Sequence, residues 1–565
     1  MKLVKNQIID IKIIDVSTDG NGIGKYENIA IFTPQTAVGD FVRVKILKVK
    51  KTYAYAKVEE ILEPSKCRIT PDCSVFSKCG GCVFRHISYE AECGIKADRV
   101  KQVLTRIGKQ VSPNVKPIIS AANTLHYRNK AQLPIAQSGE AGFFAVHSHR
   151  VIPIFDCKIQ PEIFNKISSV FSDWIINNQI SIYDETLHKG LIRHLYLRIA
   201  HKTNQLMVVV VTNGDKLEYT DSLIKILEQI LDGYTFTLIQ NINTADTNVI
   251  LSDKCKTIYG DGYIIDVLCD VKVRISPLSF YQVNRDMAEI LYKKAAEYAK
   301  PDNCTVLDLY CGAGTIGLSM ASKAKKIIGV EIVPDAVSDA KHNAKINNIT
   351  NAEFICADAA RAAAQLNEQK IKPDVVIIDP PRKGCSEELL NTIANDFDPK
   401  RLVYVSCDPA TLARDVKILN DLGFKLIEAT PVDLFPRTAH VETVALLSRQ
   451  TTTHNMKLHT SPFEMIKNGQ KTIELRLFDE KRQQINIGDN IVFTNNSTGE
   501  TLDTIVTKLH RFNNFEELYK SLPLLKCGYT NEDISTANPA DMEQYYSIDE
   551  QKKYGVIGIE LKIKE

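Results

Sequence analysis

The sequence predicts a multidomain α/β chain: a small β-barrel, a mixed α+β part, a doubly wound and mostly parallel sheet, then a second small β-barrel. Three observations carry this. The chain has 565 residues, too many for one hydrophobic core. From about residue 285, apolar runs of strand length (VLDLY, KIIGVEI, AEFICAD, DVVIID, LVYVSC) alternate with helical stretches, the pattern of a sheet covered on both faces. After VETVALLSRQ the polar stretch TTTHN precedes a fresh strand-like run, MKLHTSP, a composition break of the kind found between domains. The predicted parts are 1–64, 65–268, 269–450 and 456–565.

Bulk composition narrows the class. Apolar content of 44% and charged content of 24% are those of an ordinary globular protein. A net charge of +2 excludes a uniformly basic nucleic-acid binder, so any basic surface is local. The N-terminus, MKLVKNQIIDIKIIDV, lacks the apolar core of a signal peptide. The longest apolar run, LMVVVV at 206–211, is too short for a bilayer. These features predict a cytoplasmic protein with no membrane partner. Fourteen cysteines then point to metal or catalytic use rather than disulfides.

In the first part, short alternating strands break at DGNG and VGD, as in a small β-barrel. Lys45, Lys48, Lys50 and Lys51 flank Tyr53 and Tyr55. Such interleaving suits single-stranded nucleic acid, and equally a strand edge guarded by lysines. The second part opens with PDCSVFSKCGGCVFRH, which sets Cys73, Cys79 and Cys82 as C-x5-C-x2-C, with Cys157 as a distant fourth thiol. Spacing alone allows zinc or an iron–sulfur cluster. Cys67 and Cys93 are read as non-ligands.

The third part carries the chemistry. VLDLYCGAGTIGLSMA places Gly312, Gly314 and Gly317 as G-x-G-x-x-G between a strand and a helix, and Glu331 ends the next strand. This is a Rossmann-like nucleotide turn with an acid for ribose hydroxyls. NAD is one candidate ligand, but DLYCGAGTIG and the later Asp358 resemble the nucleotide loop of S-adenosylmethionine methyltransferases. Asp379 in IIDPPRKG and Cys407 in LVYVSC lie at the ligand-binding ends of the next strands. As plain alternatives, Asp379 is a helix cap and Cys407 a core filler. A helix start and nearby cations would favour a thiolate at Cys407, although Arg414 is too far along to assign. His440 and Glu442, in DLFPRTAHVETVALL, are placed on one face by strand alternation. Glu442 enters an apolar run, which raises a carboxyl pKa and suits proton abstraction.

Taken together, FYQVN, DLYCGAGTIGL, IDPPRKG, VSCDPATLARD and DLFPRTAHVETVALL resemble the RNA uracil-5-methyltransferase family, in the family's order, over residues 1 to about 450. The resemblance implies Cys407 as the nucleophile that adds to uracil C6 and Glu442 as the base that removes the C5 proton. It implies Gln282, Tyr310, Glu331 and Asp379 at S-adenosylmethionine, with Gln282 and Asp379 also near the uracil. It further implies a [4Fe–4S] cluster on Cys73, Cys79, Cys82 and Cys157, a TRAM barrel (an OB-like RNA-binding module) at the N-terminus, and Arg128 and Lys130 of HYRNKAQLP near RNA. Cluster-bearing bacterial members generally act on 23S ribosomal RNA, whereas the tRNA-directed branch typically lacks these cysteines. The alternatives are a tRNA uracil-5-methyltransferase, a methyltransferase for cytosine or another base, and a non-catalytic RNA-binding or assembly protein.

The last part, MKLHTSPFEMIKNGQKTIELRLFDEKRQQINIGDNIVF, resembles the ASCH domain, a PUA-like β-barrel. Gly469, Lys471, Thr472, Glu474 and Arg476 are expected in the strand lining its cleft. Some ASCH proteins are amidohydrolases that use a Lys and a Thr there. Glu474 occupies the position of that Thr, so the resemblance favours RNA or nucleotide binding.

Overall fold

The computed structural model describes residues 3–449 and 452–564, in two compact units: one formed by 1–418 with 426–447, the other by 419–425 with 448–565.

The first unit opens with a closed five-stranded barrel of Ile8–Val16, Gly22–Tyr26, Ile29–Thr33, Phe41–Val49 and Tyr53–Glu63. Alternation drives it: Ile9, Ile11, Ile13, Val42, Val44 and Ile46 point inward and are nearly fully buried. Phe32, Tyr53 and Tyr55 cluster on its outside, with ring centroids 5.6–5.9 Å apart. Asp40 closes the barrel onto the following segment, accepting from the Ser65 amide and pairing with Arg68 at 2.9 Å.

A loop region and the helix Tyr89–Arg106 follow. The strands Lys130–Pro134, Ile192–Ala200, Gln205–Thr212, Thr235–Ile242 and Cys255–Tyr259 form one sheet in that spatial order. Its apolar face packs on the helices Glu162–Asn177 and Thr220–Ile230. The hairpin Ile264–Leu268 with Val271–Ile275 leads into the last sheet, and a single apolar core runs through both.

That last sheet has seven strands, ordered Ala352–Cys356, Lys326–Glu331, Thr305–Leu309, Val375–Ile378, Arg401–Ser406, Glu442–Arg449 and Phe424–Val432. The inner strands are Val/Ile-rich and buried on both faces, as parallel strands covered on both sides require, whereas the edge strand Ala352–Cys356 is half-exposed. Order reverses between Thr305–Leu309 and Val375–Ile378, and the crevice at such a switch point is where ligands bind. Register sets what faces it. Leu309 pairs with Val330 and with Ile378, and Ile378 with Tyr404. Tyr310, Glu331, Asp379 and Cys407 therefore leave the sheet at one edge. The antiparallel pair Ser406–Thr443 brings Glu442 back to that same edge.

The second unit is a five-stranded sheet ordered Thr453–Leu458, Asn490–Asn495, Thr501–Phe512, Val556–Ile563 and Ile473–Leu477. The expected small PUA-like β-barrel takes the form of an open sheet among the described residues: the edge strands Thr453–Leu458 and Ile473–Leu477 each pair with one neighbour. Among the described residues no helix is long and apolar enough to cross a membrane.

Candidate active site

A cleft of about 1460 Å³ lies at this sheet edge and is lined by Gln282, Tyr310, Glu331, Asp379, Cys407 and Glu442. All six residues expected from sequence to serve methyl transfer meet there, although they span 160 positions from 282 to 442.

The glycine-rich turn forms one wall. Glu331 accepts hydrogen bonds from the amides of Gly312 at 3.1 Å and Val333 at 2.9 Å. Tyr310 adopts φ +63°, which turns the chain sharply off the strand. Beneath the turn, Asp308 accepts from the Gly317 amide at 2.9 Å. A Cβ on Gly317 would lie 2.9 Å from that carboxylate and from Ile327, so glycine is required by close approach. Asp358 caps the helix Ala359–Glu368 and also lines the cleft. On the opposite wall, the segment bearing Gln282 is held by its carbonyls. Asn129 donates to Gln282 O at 2.9 Å, and the buried Arg198 donates to Ser279 O and Tyr281 O at 2.8 and 3.1 Å.

Burial pushes the Cys407 thiol up to about 11, with the charges of Glu442 and Asp379 adding to it and Arg382 opposing. The free protein therefore holds a thiol, not the thiolate expected from a helix start. Asp408 caps that helix, accepting from Ala410 and Thr411 at 2.9 and 3.2 Å, and its carboxylate offsets the helix dipole. Arg414 faces elsewhere: it binds Asp415 and the carbonyls of Lys383 and Cys385. The cation that acts on Cys407 is Arg382, which the sequence motifs did not single out. Its only signal was its place directly after the paired prolines. Burial also pushes Asp379 up to about 7. Glu442, 4% exposed, is pushed up to about 8 by burial and by Asp379, against Arg382. Asp379 caps no helix; the nearest, Glu387–Asn391, is capped by Ser386. His440 precedes the strand that begins at Glu442, so strand alternation does not govern it. It is exposed, yet it lines the same cleft.

The loop between Asp433 and Glu442 is clamped by the helix Tyr89–Arg106. Lys96, 1% exposed, bridges Glu92 and Asp433 at 2.7 Å each. Tyr89 donates to Asp433 at 2.7 Å, Arg99 to Ala439 O at 3.1 Å, and the Arg437 amide to Glu92 at 2.7 Å.

Cys73, Cys79, Cys82 and Cys157 line one separate cavity of about 260 Å³, and Cys67 and Cys93 stay outside it. Arg128 and Lys130 line both this cavity and the cleft. The Gly80 amide bonded to Phe144 O anchors the cysteine loop on the central part. Burial and the neighbouring thiols push Cys79 up to about 11. Among the described residues no three His, Cys, Asp or Glu side chains are gathered to hold a single metal ion.

In the second unit Glu474, 3% exposed, pairs with Lys471 at 2.9 Å and Arg476 at 2.8 Å. Burial raises its pKa, but the two cations outweigh burial and hold the carboxyl below its ordinary range. Thr472 precedes the strand, and its hydroxyl is buried without a partner. Gly469 turns at φ +79°.

Residues 88–450 match the family model described as tRNA (Uracil-5-)-methyltransferase. The chain belongs to this family. TRAM and ASCH domain models match residues 2–58 and 456–564. An uncharacterized RNA methyltransferase of Clostridium tetani is 44% identical over 449 residues, covering 79% of this chain and 97% of the relative. One of Halalkalibacterium halodurans is 41% identical over 447 residues, covering 78% and 97%. Among solved structures, the Pyrococcus abyssi tRNA (uracil-54, C5)-methyltransferase in complex with S-adenosyl-L-homocysteine is similar. It has 27% identity and a TM-score of 0.64, covering 77% of this chain and 99% of that one. The family match spans the whole clefted sheet and the helix that clamps it.

Proposed function

We propose that the protein forms 5-methyluridine in 23S ribosomal RNA, with Cys407 as nucleophile and Glu442 as general base. The observation that carries the chemistry is the meeting of a half-buried thiol and a buried, high-pKa carboxyl beside a nucleotide-type turn in one cleft. S-adenosylmethionine, when bound, supplies an electrophilic methyl group. Glu331 and the Gly312 turn suit its ribose, and Gln282, Tyr310 and Asp379 stand along the same cleft. Uracil C5 is a poor nucleophile until a thiolate adds to C6. Cys407 gives its proton to solvent and forms that S–C6 bond, and the C5=C6 electrons move into the ring as an enolate. C5 then takes the methyl group, and the electrons of the broken carbon–sulfur bond stay with the departing thioether, S-adenosylhomocysteine. Glu442 removes the C5 proton, and those electrons restore C5=C6 as Cys407 leaves. A pKa of about 8 makes Glu442 a stronger base than an ordinary carboxylate. The target base must be unpaired or flipped to reach the thiol.

The four thiols of the second cavity suit a [4Fe–4S] cluster. Zinc needs all its sulfurs about 2.3 Å from one point, whereas a four-thiolate cluster fills a larger space. When bound, such a cluster clamps the cysteine loop to the central part. These thiols favour the ribosomal RNA branch, while likeness to a tRNA (uracil-54) enzyme supports tRNA as the rival substrate. The barrel's Phe32, Tyr53 and Tyr55, with the lysines beside them, are proposed as an RNA-stacking face. RNA or a nucleotide is proposed at Lys471, Glu474 and Arg476.

The test is tritium release from RNA labelled at uracil C5, with S-adenosylmethionine, for wild type and Cys407→Ala. Release from 23S RNA that needs both the methyl donor and Cys407 supports the proposal. Release from tRNA alone moves the enzyme to the rival substrate, and silence on both overturns the catalytic reading.

A further inference from the structure

Arg85 stands out among the walls of the cysteine cavity. It is 2% exposed and lines the cavity beside Cys82. Its Nη1 pairs with Asp72 at 2.5 Å; Nε and Nη2 are buried with no oxygen or nitrogen partner, and the guanidinium lies against the Cys82 thiol. Buried guanidinium donors with only a weak thiol acceptor are costly. Asp72 neutralises only one edge of the fork, and its side chain is 51% exposed. The remaining edge has the Cys82 sulfur beside it, a weak acceptor as a neutral thiol and a strong one as a ligand thiolate. An anionic cluster held by four thiolates carries several sulfur acceptors and net negative charge, and its potential responds to both hydrogen bonds and nearby charge.

We infer that Arg85 is the counter-cation and hydrogen-bond donor of the cluster, tuned in strength by Asp72. This rests on the cluster reading above. Arg85 is a positioning and tuning residue; no electron passes to RNA, and methylation is not routed through it. A purely structural Arg85–Asp72 tie would loosen the loop whichever partner is removed. An electrostatic role makes the two changes opposite in sign. Loss of the cation leaves the cluster more electron-rich and more easily oxidised, whereas loss of the carboxylate leaves Arg85 with its full charge.

The experiment uses the full chain, reconstituted with iron and sulfide without oxygen, and follows bleaching of the brown chromophore in air, where dioxygen is the oxidant. Arg85→Gln is expected to bleach several-fold faster than wild type, Asp72→Asn more slowly, and Arg85→Lys in between Arg85→Gln and wild type. Faster bleaching in both Arg85→Gln and Asp72→Asn, or no change in either, overturns the inference while leaving the cluster in place. Wild type that takes up no iron or sulfide overturns the cluster reading itself. Should Arg85→Gln not fold, Asp72→Asn still decides, because slower bleaching supports the inference and unchanged or faster bleaching overturns it.

Discussion

At the scale of single residues, burial raises the proton affinity of the cleft's thiol and carboxyls. Cys407 near 11 is a thiol at neutral pH, which also shields it from oxidation. Glu442 is largely protonated below about 8 in the free protein. Both Glu442 and Cys407 must lose a proton to work, so the rate at low substrate is expected to rise with pH through about 8 and to keep rising toward about 11, as a pH profile of kcat/KM will read. Glu442→Gln leaves addition to C6 possible but blocks removal of the C5 proton. The expected outcome is a covalent RNA–protein adduct that survives denaturing gel electrophoresis, with turnover lost at least 100-fold. The same group carries a stability cost. In the unfolded chain Glu titrates at about 4.3, and in the native protein at about 8. Between these values the native state binds the extra proton, so stability falls as pH rises through this window. Each tenfold difference in proton affinity between the two states is worth about 1.4 kcal/mol. Glu442→Gln is therefore expected to stabilise the protein by a few kcal/mol at pH 8.5. The advantage vanishes near pH 4, a contrast that urea unfolding at the two pH values will show.

At the scale of elements, the reacting side chains depend on clamps that hold two loops. The loop after Asp379 is pinned by the helix Pro409–Asp421: Thr411 donates to Arg382 O at 2.9 Å, and Asp415 accepts from the Cys385 amide at 2.9 Å. Gly384 has φ +75°, and a Cβ there would lie 2.3 Å from Thr411 and 2.5 Å from Arg414. Gly384→Ala must move this loop and Arg382 with it. Its methylation rate is expected to fall at least tenfold, with methyl-donor affinity, measured by calorimetry, nearly unchanged. The loop before Glu442 depends on Lys96. Lys96→Met would leave Glu92 and Asp433 buried together without the cation they share, with only Arg437 3.7 Å from Glu92. Breaking a buried pair this way costs about 3–5 kcal/mol, which guanidinium unfolding will measure.

At the scale of the molecule, every residue proposed for chemistry lies within the first compact unit. A chain ending at residue 449 is expected to methylate short uracil-containing RNA with kcat within about threefold of the full chain, and loss of turnover in that assay would tie the ASCH-like unit to the reaction. Any change confined to the affinity for long RNA would assign that unit to binding.

The strand and helix order and the glycine turn were legible in the linear sequence, because strand periodicity and motif spacing are written in consecutive residues. Gln282 and Tyr310, and the roles of Cys407 and Glu442, were legible only through the resemblance of the motifs to a family. The four cysteines were grouped from the residues, whereas only the resemblance favoured a cluster over zinc. Tertiary structure decided the rest. That Arg382, not Arg414, faces Cys407 depends on how a loop packs on a helix. That Cys407 rests as a thiol depends on burial and on two carboxylates 28 and 35 positions away in the chain. The open sheet of the second unit and the burial of Arg85 against Cys82 likewise follow from which surfaces meet. Charge and desolvation are summed over neighbours in space, and a linear sequence does not list them.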